Sequence, residues 1–371
     1  MIAIDILSSA AFVLSVVYID VIIFILLPYR KVTEKKDLPM VSVIIATKNE
    51  ENVIEKTLRE LRKSDYPRFE IIVIDSSDDK TAKIAKKYAD KILIDKSGCG
   101  KPNALNTAIK HARGEIIYII DADCVVEKGT MKKLVHSLDD KYDACVGLLI
   151  PRNKQGFVSR IGRLELAFLN SVNKVIYNTS KTAMIPGRNY VIYKKSLDDV
   201  GWFDNVLTED VNLSWRLYKC GKKVDMTSAV SREKVPDKFS WYFRQQERWT
   251  TGSVNEMKSA VKHLTVFEKA FFLPLLAVVV GMPFVSFVSL VLYFFTFHLA
   301  FVALFLMTFI VMFISSAQYL EPYDILISIV TTVVFGFLEV VNFADACIKV
   351  ATKRKMIWYK TPKERLLSNV V

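Results

Sequence analysis

The sequence predicts an α/β domain with a mostly parallel sheet, set between apolar segments long enough to be membrane helices. Three observations carry that expectation. From residue 39 to about 120, short β-branched runs alternate with amphipathic helical stripes, the pattern of βαβ units and hence of parallel strands with right-handed crossovers. Polar clusters follow three runs, at 47–51, 75–79 and 121–123, and parallel sheets hold their ligands at the carboxyl ends of strands. Residues 1–27 are almost wholly apolar, and 270–319 carry no charged side chain.

In chain order, 1–28 reads as one membrane helix, broken only by Asp5 and Asp20. A signal peptide would want a basic start and a small-residue cleavage site, and neither is present. Arg30, Lys31, Lys35 and Lys36 follow the span and place that side in the cytoplasm, with the N-terminus outside. Asp20 should face other helices or an interface, because a carboxylate is costly in lipid. The soluble part is 39–235, with strands expected at 41–46, 71–74, 92–94, 116–120, 146–150 and 191–193. Helical stripes stand at Val53, Ile54, Thr57, Leu58 and Leu61, at 84–89, at 104–112 with Pro102 in its first turn, at 161–176 and after Thr208. Residues 236–265 read as interfacial amphipathic helices, and 270–348 as two or three spans parted near Phe297 and His298. A basic tail occupies 349–371.

Composition narrows the partners. Net charge is +12, from 51 Lys+Arg against 39 Asp+Glu, which fits nucleic acid, anionic lipid or a phosphorylated substrate. No zinc-finger spacing or arginine-rich tract supports nucleic acid. The five cysteines form no CxxC pair and read as reduced cytosolic thiols. No GxGxxG follows the first strand, and Gly98-Cys-Gly-Lys lacks the spacing of a phosphate loop.

Four polar groups remain. The run 116–120 stops on Asp121-Ala-Asp123, two hard oxygen donors suited to a divalent cation that carries phosphate oxygens. Asp is also a routine turn and cap residue, so the pair is weak alone, and Asp78 and Asp79 can equally cap the following helix. Glu209 and Asp210 open a helix, where its dipole explains acids just as well. In the segment 241–252, Gln245, Arg248 and Trp249 share one helical face with Trp241. That face suits anion binding and sugar stacking, or a membrane surface.

In this order, Asp75, Asp121-Ala-Asp123, Thr208-Glu209-Asp210 and Gln245-Gln-Glu-Arg248-Trp249, together with Gly100-Lys-Pro-Asn-Ala-Leu-Asn106, resemble the membrane-integrated glycosyltransferases of family 2. That group contains the cellulose, chitin and hyaluronan synthases and, more distantly, the ceramide glucosyltransferases. The resemblance covers about 40–260 and implies a GT-A-type catalytic domain in the cytoplasm, held in the plasma membrane by several spans. It also implies inverting transfer from a UDP-sugar to a growing polysaccharide or a membrane lipid. Residue by residue it gives Asp75 and Lys101 to the nucleotide, with Thr47, Glu50 and Glu209 beside them. Asp123 would ligate Mg²⁺ or Mn²⁺, and Asp121 the ribose or the metal shell. Arg248 and Gln245 would meet the diphosphate, Asp210 would be the general base, and Trp249 would stack on the acceptor. One departure is that Ser76-Ser-Asp-Asp79 replaces the usual second acid, which leaves open which of Asp75, Asp78 and Asp79 contacts the nucleotide.

The tail conflicts with a simple count of spans. Three spans after a cytoplasmic domain would put it outside, yet Lys349, Lys353, Arg354, Lys355, Lys360, Lys363 and Arg365 argue for the cytoplasm. A re-entrant or interfacial segment at 271–283 resolves this, and 358–363 resembles the gating loop of cellulose synthases. Polymerase and single-addition lipid glycosyltransferase are not separable by these motifs. The rival of another class is a membrane protein that binds a nucleotide-sugar without turnover.

Overall fold

The computed structural model describes residues 2–153, 156–262, 264–266, 269 and 281–352. They form two compact units, one from 29–152 and 180–234, the other from the described parts of 2–28, 153–179 and 235–352.

The first unit is one eight-stranded sheet. Its strands are β1 (Val41–Thr47), β2 (Phe69–Asp75), β3 (Lys91–Ile94), β4 (Ile116–Ile119), β5 (Val125–Val126), β6 (Ala144–Pro151), β7 (Tyr190–Tyr193) and β8 (Val224–Glu233). They lie in the order β3-β2-β1-β4-β7-β6-β8-β5. The first four are mutually parallel, as the βαβ pattern requires, and β6 is parallel to β8. β7 runs against both its neighbours and β5 against β8, so the sheet is mixed and still mostly parallel. The carboxyl ends of β1, β2, β4, β6 and β8 therefore share one edge with the amino end of β7.

In chain order the helices are α1 (Ile2–Leu26), α2 (Ile54–Arg62), α3 (Thr81–Ala85), α4 (Lys101–Lys110), α5 (Thr130–His136), α6 (Phe157–Ser180), α7 (Lys194–Val200), α8 (Glu209–Lys219), α9 (Phe239–Val261), α10 (Met282–Thr296), α11 (Leu299–Tyr319) and α12 (Pro322–Ala351). The stripe Ile54, Leu58 and Leu61 of α2 is fully buried against Val41, Val43 and Ile45 of β1 and Tyr118 of β4. Each such side chain contributes about 1.5–3 kcal/mol on burial. β5, β8, α5 and α7 are not expected from the sequence. β8 reads Val-Asp-Met-Thr-Ser-Ala-Val-Ser-Arg-Glu, too polar and too irregular in its alternation to be recognised as a strand.

One irregularity in the sheet bears on the site. Between β6 and β8 the register jumps from Val146 opposite Met226 to Leu148 opposite Val230, so Gly147 alone faces three residues. Asn189 closes the gap. Its Nδ2 donates to the carbonyls of Leu148 (3.0 Å) and Ala229 (3.1 Å), and its Oδ1 accepts from the Tyr118 hydroxyl at 3.0 Å. Asn189 tolerates its positive φ of 56°, as Asn does more readily than most residues. At Gly147 a Cβ would overlap the Ala229 carbonyl and the Asn189 amide, which excludes any side chain. The amide thus pins the turn 186–189 to the sheet edge.

In the second unit the sequence places the helix break correctly. α10 ends and α11 begins around Phe297, which adopts φ 55°, and His298. α1 and α11 meet in a core with Tyr18, Val21, Ile25, Phe168 of α6 and Phe335 of α12. The last carbonyls of α1, which have no partner within the helix, are taken by side chains: Asn178 Nδ2 donates to Phe24 O at 2.9 Å and Gln318 Nε2 to Ile25 O at 3.2 Å. Asp20 is exposed on α1, so of the two settings expected for it, facing other helices is not the one adopted. Asn342 is buried, as is Oε1 of Glu339. Among the described residues, two helices are long and apolar enough to cross a membrane, Ala3–Leu26 and Leu299–Tyr319. Of the segment 271–283, residues 271–280 lie outside the described residues, as do 353–371 with the gating-loop-like stretch.

Asn189→Ala removes three buried hydrogen bonds and orphans two carbonyls, a loss of about 2–4 kcal/mol by summing about 1 kcal/mol per bond with the cost of unpaired groups. The thermal unfolding midpoint of the purified protein should fall clearly. A midpoint equal to wild type would show that the amide does not hold the bulge.

Candidate active site

Every polar cluster singled out in the first half of the chain ends at the same sheet edge. Thr47 and Asp75 are the last residues of β1 and β2 and sit side by side in register. Thr47 Oγ1 donates to Asp75 Oδ1 at 2.6 Å, and Ser77 Oγ donates to the same oxygen at 2.5 Å. Both Thr47 and Asp75 are buried, as is Glu50, whose backbone N–H donates to Thr81 Oγ1 at 2.8 Å. Asp79 accepts from the Thr81 amide (2.9 Å) and hydroxyl (2.5 Å) and from the Glu51 amide (3.3 Å), so it fixes the start of α3. Asp78 contributes its backbone N–H to Asn49 Oδ1.

Lys101 stands in the first turn of α4, opened by Gly100 and followed by Pro102. Its Nζ lies 2.9 Å from Asp121 Oδ1, 3.4 Å from Glu209 Oε1 and 3.4 Å from the Gly187 carbonyl. Burial works against its charge, but Asp121, Glu209 and Asp210 outweigh burial and raise its pKa above the ordinary value. One ammonium thus joins the DAD segment after β4, the turn before β7 and the start of α8. Asp123 is buried and Asp121 is 29% exposed.

Asp210 follows Glu209 in the first turn of α8. Its Oδ1 accepts from the Val211 amide at 2.9 Å, and its carbonyl accepts from the Ser214 hydroxyl, which in turn accepts from the Ile185 amide. Its other oxygen lies against Gly187, only 2.6 Å from where a Cβ would sit, and Gly187 has φ +73°. Burial and the neighbouring charge of Glu209 raise the Asp210 carboxyl to about 6, with Lys101 pulling the other way. Such a carboxylate is ionised at neutral pH and still basic enough to take a proton.

Three groups at this edge were not foreseen. Arg188 grips Glu233, the last residue of β8, with both ends of its guanidinium, and its Nε is 4.0 Å from Asp121 Oδ2. Arg152, just past β6, donates its amide to the Glu233 carbonyl at 2.7 Å. Burial lowers the pKa of its guanidinium, and the charge of Asp123 partly offsets that. Residues 186–190 read in sequence only as a turn, and Glu233 follows no visible strand pattern. The one available signal was the Pro-Gly-Arg-Asn turn itself, where a long cation lies between two conformationally special residues.

Gln245, Arg248, Trp249 and Trp241 are half-buried on α9, which belongs to the helical unit. There the Lys238 ammonium lies 4.6 Å over the Trp241 ring, and Gln246 Nε2 donates to Glu165 at 2.5 Å.

Comparison with known proteins bears on the fold and on what the chain is similar to. Residues 42–201 match the family model described as glycosyl transferase family 2. The chain is similar to the probable glycosyltransferase YdaM of Bacillus subtilis, 34% identical over 235 residues, 59% of this chain and 56% of that protein. It is also similar to the poly-beta-1,6-N-acetyl-D-glucosamine synthase of Staphylococcus aureus, 30% identical over 226 residues, 58% and 55% of the two chains. It thus spans about half the length of these relatives. Among solved structures, the mannosyltransferase PcManGT of Pyrobaculum calidifontis, in complex with GDP-Man and Mn²⁺, superposes with a TM-score of 0.65 at 21% identity, over 95% of this chain and 98% of that one. That likeness shows a common fold, the GT-A arrangement of a Rossmann-like mixed sheet. The strand ends bearing Thr47, Asp75, Asp121 and Asp123, with Lys101 between them, thus lie within the residues, 42–201, that match the glycosyl transferase family 2 model.

Proposed function

We propose that this chain is a membrane-bound inverting glycosyltransferase that moves a sugar from a UDP-sugar to a growing polysaccharide or a membrane-associated acceptor. The observation that carries this reading is Asp210, raised to about 6, next in the chain to Glu209, which shares the Lys101 ammonium with the DAD segment. A donor-phosphate site and a proton acceptor of suitable basicity are thereby joined in one unit.

In this reading Thr47, Glu50 and Asp75 receive the nucleotide, and Lys101 meets its phosphates. The acceptor oxygen attacks the anomeric carbon, the bond from that carbon to the phosphate oxygen breaks, UDP leaves and the acceptor proton passes to Asp210. Among the described residues no third His, Cys, Asp or Glu gathers with Asp121 and Asp123. That donor set fits a hard cation that shares its shell with diphosphate and water. Asp121 engages Lys101, and Asp123, as the second acid of the DAD motif, is the one assigned to the metal. Mg²⁺ or Mn²⁺ held there supplies Lewis acidity to the leaving diphosphate. Arg248 with Gln245 as further phosphate contacts, and Trp249 as the acceptor's stacking surface, rest on the QxxRW motif and its chemistry.

The similarity to a poly-N-acetylglucosamine synthase favours a polymer as product. A single sugar added to a lipid is the second reading, and binding without turnover the third. A panel of labelled nucleotide-sugars with Mn²⁺ and native lipid separates them by product size: polymer, one-sugar lipid, or no product at all.

Asp210→Asn should keep UDP binding and lose about 10²–10⁴-fold in kcat, the usual worth of a general base. Wild-type turnover in that variant would remove Asp210 from the chemistry. Because kcat/KM reports ionisations of the unliganded enzyme, it should be level above about pH 6 and fall tenfold per pH unit below, as Asp210 protonates. A flat profile from pH 5 to 8 would contradict the assignment. For Asp123→Ala, added Mn²⁺ should no longer tighten UDP binding; an undiminished metal response would place the cation elsewhere.

A further inference from the structure

We propose that the Arg188–Glu233 ion pair is a positioning device for the donor site: it steadies Asp121 through its second oxygen, so that Lys101 can turn from Asp121 to the substrate's phosphates. This rests on the glycosyltransferase reading and assigns work to two residues outside its motifs.

Asp121 lies between two cations. Lys101 holds Oδ1 at 2.9 Å, and Arg188 Nε stands 4.0 Å from Oδ2. Lys101 is shared three ways, with Asp121, Glu209 and the Gly187 carbonyl. When a diphosphate arrives, the ammonium must be shared again, and a carboxylate left without a cation in a largely buried site is strongly destabilising. Arg188 meets that need because it cannot drift. Its fork is matched bidentately by Glu233, the geometry in which an arginine–carboxylate pair is most directional. The two side chains are 13% and 8% exposed. The backbone beneath is fixed at both ends, by the Asn189 amide bridging Leu148 and Ala229 and by the Arg152 amide on the Glu233 carbonyl.

The plainer reading is that Arg188 only neutralises a buried Glu233. The two readings differ when both charges are removed together, because a buried pair replaced by neutral groups is often tolerated. The full-length protein in detergent is compared as wild type, Arg188→Lys, Arg188→Met and Arg188→Met with Glu233→Gln, by thermal midpoint, calorimetric UDP affinity with Mn²⁺, and kcat against donor KM. We expect Arg188→Met to weaken UDP binding and raise donor KM by about tenfold or more, equivalent to about 1.4 kcal/mol, with kcat at saturating donor little changed. The double variant should regain the thermal midpoint but not the UDP affinity, and Arg188→Lys should recover part of it. Wild-type UDP affinity in the double variant, or a lysine no better than methionine, would overturn the proposal. If both methionine variants fail to fold, Arg188→Lys and Glu233→Gln decide: each loosens the bidentate fork, so each should bind UDP more weakly than wild type, and wild-type affinity in either overturns the positioning role. Absence of nucleotide binding in the wild type would instead overturn the donor reading itself.

Discussion

The site depends on one ammonium group. Asp121 and Glu209 converge on Lys101, and the charge of Asp210 acts on it too; without a cation there the carboxylates would repel one another in a region with little water to screen them. The arrangement also sets the chemistry apart by residue. Asp121 is flanked by Lys101 and Arg188, whereas Asp210, beside Glu209, is pushed up to about 6. Environment, not residue type, separates a phosphate-site carboxylate from a proton acceptor.

Placing that ammonium requires a sheet that brings distant segments to one edge. β1, β2 and β4 deliver Thr47, Asp75 and the DAD segment through their parallel order. β7, running the other way, delivers its amino end and hence Gly187 and Arg188 to the same edge. The Asn189 amide fixes how far that turn protrudes. At Gly187 the left-handed backbone and the contact with Asp210 leave no room for a side chain.

In the helical unit, α1 and α11 are long and apolar enough to cross a membrane, and the carbonyls at the end of α1 are met by Asn178 and Gln318. A polar side chain at that position satisfies backbone carbonyls that have no partner within the helix.

Much of the fold was legible because burial writes a period into sequence. Ile54, Leu58 and Leu61 repeat at helical spacing, and 41–46 and 71–74 are continuous β-branched runs, so β1, β2 and α2 could be read directly. The carboxylates at strand ends were visible for the same reason, since each strand's end marks where its polar residues must lie. β8 was not, because its pairing with β6 tolerates Asp225, Ser228 and Ser231 through a bulge that local pattern does not announce. By itself, then, the sequence determined the parallel half of the sheet, the break between α10 and α11 and the acids at the strand ends. Only the tertiary structure decided that β7 is antiparallel, that Lys101 is the common partner of DAD and TED, and that Arg188 and Glu233 meet beside Asp121. Those contacts join residues up to 108 positions apart (Lys101 to Glu209), and attraction between charges depends on their separation in space, for which a local periodicity carries no information.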